Sequence, residues 1–97
     1  MAYGITLTEE AKDDFDHYPK NDRVAIIEKI KEQLLYLPLT ETKNKKTLED
    51  NPLAPWELRV GKFRVFYKVE EQTVTVVAIG HKERNKLILR GMEVELT

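Results

Sequence analysis

With 97 residues, 41% of them hydrophobic and 34% charged, the chain is sized for one domain with a modest core, which excludes a disordered tract. It has no cysteine, which excludes a disulfide framework and thiolate chemistry. The net charge of −1 hides an uneven distribution: residues 1–42 carry five basic and nine acidic side chains, whereas residues 43–90 carry eleven basic and six acidic.

Tyr3, Ile5 and Leu7 alternate with Gly4 and Thr6, which predicts a short opening strand. Thr8 can cap a helix whose first turn holds Glu9 and Glu10, placed well against the positive end of its dipole. Ala11, Phe15 and Tyr18 follow helical spacing, with Asp13, Asp14 and Asp16 expected to face away, and Pro19 stops the helix. His17 reads as an incidental surface side chain. Asn21 or Asp22 can cap a second helix. Val24, Ile27, Ile30, Leu34 and Leu37 form its apolar stripe, widened by Ile26 and Leu35, and Pro38 ends it. Residues 39–55 read as loop, with a short edge strand at Thr47 and Leu48 and a lysine cluster, Lys43, Lys45 and Lys46, at its tip. That cluster suits either a solvated loop or a phosphate contact.

Residues 56–69 carry the clearest pattern. Trp56, Leu58 and Val60 share one face, Glu57 and Arg59 the other. After Gly61 and Lys62 the alternation resumes, with Phe63, Val65, Tyr67 and Val69 opposite Arg64, Phe66 and Lys68. Alternation broken by a two-residue step containing glycine predicts a β-hairpin. Its register brings Arg59 and Arg64 together on one face, as solvated charges or as an anion site, since arginine's planar fork matches phosphate. Thr73 to Ile79 is apolar on both faces and predicts an interior strand, leaving through Gly80 into His81, Lys82, Glu83 and Arg84. Residues 86–97 read as a tail, a short extended segment or a frayed helix over 82–90. Its apolar side chains, Leu87, Ile88, Leu89, Met92, Val94 and Leu96, offer a surface that a partner segment could cover.

The order is β-α-α-β-β-β plus tail, in one domain spanning residues 1–97: a two-layer α+β fold, with a mostly antiparallel sheet and a helical hairpin on one face. The N-terminus lacks a signal-peptide pattern, and no apolar run approaches the roughly 20 residues that span a bilayer, so a cytoplasmic protein with no membrane contact is expected. Glycine-rich phosphate loops, nucleophile elbows and metal-ligand spacings are missing, so no cofactor or metal is expected. Arg59, Arg64, Lys68, His81, Lys82 and Arg84 remain as a converging basic set. Metal-free RNA cleavage needs a base for the 2′-hydroxyl, cations for the charge on the phosphate oxygens, and an acid for the leaving 5′-oxygen. His81 suits either proton transfer, and Arg64 suits the phosphate.

The run Trp56-Glu57-Leu58-Arg59-Val60-Gly61-Lys62-Phe63-Arg64-Val65-Phe66-Tyr67, followed by an apolar strand and Gly80-His81-Lys82-Glu83-Arg84, resembles the RelE/ParE toxin family of bacterial type II toxin–antitoxin modules. The resemblance covers most of the chain. It implies a RelE-like fold, a cognate antitoxin as partner, and a metal-independent endoribonuclease that cleaves mRNA on the ribosome and inhibits translation. The alternatives it leaves are a ParE-like inhibitor of DNA gyrase and an inactive antitoxin-binding module. Within the ribonuclease reading, Arg64 matches the sheet arginine used on the scissile phosphate. His81, Lys82 and Arg84 fall where catalytic side chains follow the last strand. RelE-type enzymes carry a catalytic lysine where this chain has Glu57, and a C-terminal tyrosine where it has Ile88. Other ribonuclease branches use a glutamate with a histidine, so Glu57 and His81 form a candidate acid/base set, while Glu57 is also placed for an ion pair with Arg59 or Lys68. Arg59, Lys62, Lys68, Lys43, Lys45 and Lys46 are then the candidate RNA contacts.

Overall fold

The computed structural model describes residues 2–49, 51 and 53–94. Its elements run β1 (Gly4–Leu7), α1 (Glu9–Asp16), α2 (Lys20–Leu34), β2 (Lys45–Thr47), β3 (Trp56–Val60), β4 (Phe63–Glu70), β5 (Thr73–Glu83), β6 (Lys86–Leu89) and β7 (Met92–Val94). The seven strands form one sheet in the order β2-β3-β4-β5-β6-β7, and β1 pairs in parallel with β5. Every other pairing is antiparallel. This is the expected two-layer α+β arrangement.

The local signals act where expected. The Thr8 hydroxyl accepts the Ala11 N–H at 3.1 Å and caps α1. The β3–β4 turn is two residues long, with Gly61 at φ 58°, a conformation that costs glycine little. The register pairs Arg59 with Arg64. Several readings change. Among the described residues no side chain caps α2, which starts directly after Pro19, where the proline ring presets the backbone. Its buried stripe is Ile26, Ile30 and Leu34, while Val24 and Leu37 are exposed. Residues 81–83 continue β5 instead of leaving the sheet, and the tail folds back as the β6–β7 hairpin. Leu96 lies outside the described residues.

The helical face of the sheet buries one cluster: Leu58, Val65, Tyr67, Val74, Val76 and Ile79 against Ala11, Ile26, Ile30 and Leu34. A second cluster sits on the other face, where Phe66, Ala78, Leu87, Leu89 and Ala54 are buried. So Leu87 and Leu89, expected to await a partner, cover the chain's own Phe66; Met92 stays exposed. Each apolar side chain withdrawn this way contributes about 1.5–3 kcal/mol, which favours hairpin closure over an extended tail. The close fit requires Gly80, since a Cβ there would stand 2.6 Å from the Ile88 carbonyl oxygen. Gly80→Ala should therefore destabilise the fold by about 1–3 kcal/mol, as overpacking does. Urea unfolding measures this, and a loss below about 0.5 kcal/mol would show that β6 is not held this tightly.

Candidate functional site

Strand register decides which of the candidate residues can act together, because side chains directly opposite one another share a face. Lys46 pairs with Glu57, Glu57 with Phe66 and Phe66 with Ala78. Arg59 pairs with Arg64, and Arg64 with Gly80. Lys82, two residues past Gly80, stands on the same side. The face away from the helices thus carries Lys46 and Glu57 in one row with the buried ring of Phe66, Arg59 and Arg64 in the next row, and Lys82 one row further along. His81 pairs with Phe63 and points to the helical side. The sheet lies between His81 and the Glu57–Arg64 row.

Glu57 is buried, and its Oε1 accepts the Arg59 Nε–H at 3.2 Å, an ion pair foreseen from sequence. Arg59 itself stays half exposed. Arg64 is half-buried. Its Nη1 donates to the Gly61 and Phe63 carbonyls at 2.8 and 2.9 Å, and its Nε has no partner among the described residues. Burial lowers its pKa and Arg59 adds to this, while Glu57 opposes it. A guanidinium so placed remains charged, with its unpaired Nε buried. Lys68 shares the face at its far end and pairs with Glu70 at 3.1 Å. Lys62 extends over the Phe63 ring, 5.4 Å from its centroid. Arg84 lies in the β5–β6 turn at φ 49°, exposed. Lys43 is exposed in the loop, but Lys45 is buried and its Nζ donates to the Gln33 and Leu37 carbonyls at 3.2 and 2.6 Å. Lys45 is therefore withdrawn from the lysine cluster: it satisfies main-chain carbonyls at and beyond the C-terminal end of α2, where a cation also complements the dipole.

On the helical side, a polar cluster surrounds His81. The Tyr18 hydroxyl lies 2.8 Å from its Nδ1, and Glu83 lies 3.3 Å from its Nε2. Burial, with a contribution from the Asp14 charge, pushes the Tyr18 phenol up to about 12. The phenol hydroxyl is both donor and acceptor, so the direction of this hydrogen bond follows the His81 tautomer. Asp14, expected to face solvent, is buried. Its Oδ2 accepts the Ile79 N–H at 3.1 Å and its Oδ1 meets Arg90 Nε at 3.0 Å. Burial raises its carboxyl pKa, against the lowering effect of Ile79, Arg90 and His17. The spacing held a signal for this: Ala11 and Asp14 fall at i and i+3, on one face of α1. A cavity of about 550 Å³ adjoins this cluster, bounded by α1, Ile79, His81 and the β6–β7 hairpin. Among the described residues no group of three His, Cys, Asp or Glu is arranged to hold a metal ion, and no helix is long and apolar enough to cross a membrane.

Comparison with known proteins identifies the class. The family model described as the ParE toxin of type II toxin–antitoxin systems, parDE, matches residues 5–86. The chain belongs to this family and is a toxin of the RelE/ParE type. The fold agrees. It is similar to a chain of the toxin–antitoxin complex RelBE2 from Mycobacterium tuberculosis, with a TM-score of 0.68 and 21% identity over 84% of this chain and 100% of that one. It is also similar to a chain of the archaeal RelE–RelB complex from Pyrococcus horikoshii, with a TM-score of 0.65 and 21% identity over 87% of this chain and 99% of that one. No curated protein matches in sequence.

The Tyr18 environment has a consequence at high pH. Its folded-state pKa, about 12, stands above the ordinary 10.0. The stabilisation is complete below pH 10 and disappears as pH rises through about 12. Tyr67, whose hydroxyl donates to the Pro38 carbonyl at 2.6 Å, is shifted in the same direction. Tyr18→Phe should flatten part of the alkaline loss of stability, leaving the Tyr67 part. Melting temperatures between pH 9 and 12 test this, and parallel curves for the two proteins would contradict it.

Proposed function

We propose that this toxin is a metal-independent endoribonuclease that acts on mRNA at the ribosome through the face of the sheet away from the helices. The observation that carries the reading is that Arg59, Arg64 and Lys82, from three adjacent strands, share the sheet face that holds the buried carboxylate of Glu57. In this reading Arg59 and Arg64 hold the scissile phosphate, and their fixed positions favour the charge that develops on its oxygens. Glu57 takes the 2′-hydroxyl proton once Arg59 turns to the phosphate. The 2′-oxygen attacks phosphorus, a 2′,3′-cyclic phosphate forms, and the departing 5′-oxygen takes a proton from Lys82. Lys46 and Lys62, both exposed, flank the face and suit contacts to the RNA backbone. His81 is not part of this constellation. A cytoplasmic site of action follows from the mRNA target.

A cognate antitoxin completes the proposal. Both similar structures are toxin–antitoxin complexes by description, and a segment lying on the basic face would block it. A second reading, inhibition of DNA gyrase, draws on the ParE name of the matching family model and on the placement of His81 away from the basic face.

Arg64→Ala should lower mRNA cleavage by about 10²-fold or more, the scale of losing one charge-stabilising donor. Arg64→Lys should restore only part, since a point charge cannot make the bidentate contact. Each variant loses the two main-chain contacts of Arg64, so stability should fall by about 1 kcal/mol and the fold should persist. Primer extension on cellular transcripts after induction, with thermal melting of the purified proteins, measures both. A folded Arg64→Ala variant that cleaves normally would remove the catalytic role. Intact transcripts with a DNA-damage response on wild-type induction would establish the gyrase reading instead.

A further inference from the structure

The cavity of about 550 Å³ between α1 and the β6–β7 hairpin has no part in the ribonuclease reading, and its walls have a definite chemistry. Tyr18, Ile79 and Ile88 supply ring and aliphatic surface. Glu10, Asp13 and Asp14 contribute three carboxylates against the guanidinium of Arg90, beside the imidazoles of His17 and His81. Asp14 is spent: it is buried and holds Arg90 and the Ile79 N–H. Glu10 and Asp13 are exposed, and among the described residues neither carboxylate has an ion-pair partner, whereas their neighbours Glu9 and Asp16 pair with Lys12 and Arg23. The groove therefore has an apolar floor, two carboxylates to spare and a volume in the range of ordinary ligand pockets, roughly 300–1,000 Å³.

We propose that this groove docks an arginine side chain from a partner polypeptide. Charge complementarity selects a cation. An apolar floor selects a cation with a hydrophobic stem, which metal ions and small ammonium ions lack. The preference for arginine over lysine follows from the ring of Tyr18 and the two separated carboxylates. A planar guanidinium stacks on aromatic faces and donates in two directions, whereas an ammonium is a strongly hydrated point charge. The chain itself supplies a precedent, since Arg90 already lays its guanidinium on the Asp14 wall, with Nη2 3.4 Å from the Val77 carbonyl. A nucleic acid is disfavoured here by the surplus of negative charge, so the groove and the basic face should select opposite partners. The proposal does not depend on the target of the toxin.

The test uses the whole folded protein and two blocked tripeptides, one with arginine at its centre and one with citrulline, its uncharged isostere. Amide chemical shifts are followed during titration. The arginine peptide should move the resonances of Tyr18, Ile79, Ile88 and Gly91 saturably. Citrulline should bind at least about tenfold more weakly, as should the arginine peptide to the double variant Glu10→Gln, Asp13→Asn. Both substitutions are at exposed positions and should leave the spectrum otherwise unchanged. Any one of three results overturns the proposal: no saturable shifts at these residues, equal binding of citrulline, or undiminished binding to the folded double variant.

Discussion

The fold depends on how the long strand β5 satisfies its second edge. One edge is paired with β4 along nearly its whole length. The other is shared: β1 takes residues 73–76 and β6 takes 81–83, leaving a gap that neither strand fills. An unsatisfied buried amide costs about 1–3 kcal/mol, and the Asp14 carboxylate meets this cost by accepting the Ile79 N–H. Thr8 Oγ1 reaches the Val77 carbonyl at 3.4 Å, and Arg90 Nη2 reaches the same carbonyl at 3.4 Å. The first helix is therefore docked by polar contacts as well as by Ala11 and Phe15. Because Arg90 also pairs with Asp14, the gap fastens the C-terminal hairpin to the N-terminal helix.

That fastening separates the protein into two chemically opposite sides. With the helices and β6–β7 fixed, Arg59, Arg64 and Lys82 share the face that carries Phe66, while His81, Tyr18 and the carboxylates of α1 occupy the other. The near-zero net charge of the sequence is the sum of these sides and describes neither. A basic face with a buried carboxylate is what the proposed transesterification of RNA would use. An acidic groove beside an apolar floor has the parts for holding a basic side chain.

Much of this was legible in the sequence, for identifiable reasons. The β3–β4 hairpin is encoded by strict alternation around Gly61, so the pairing of Arg59 with Arg64 follows from counting. Thr8, Pro19 and the β-branched run from Thr73 mark their elements just as locally. The less legible parts rest on long-range partners. Lys45 looks like any loop lysine until the end of α2 presents two carbonyls to it. Asp14 looks solvated until the gap in the β5 edge requires an acceptor. Leu87 and Leu89 look unpartnered until Gly80 admits β6 and Phe66 needs cover. Two-residue alternation also places His81 opposite to Arg64 on its strand pairing, but only the register between β4 and β5, with its irregularity at Phe66 and Tyr67, fixes that relation.

The central claim, that the toxin works through the face carrying Arg59 and Glu57 and not through the side carrying His81, is tested most directly by one paired measurement. Cleavage of ribosome-bound mRNA is compared for Arg59→Ala and His81→Ala, each shown to be folded by circular dichroism. The account predicts a loss of about 10²-fold for Arg59→Ala and activity within about threefold of wild type for His81→Ala. Full activity in Arg59→Ala together with loss in His81→Ala would contradict it.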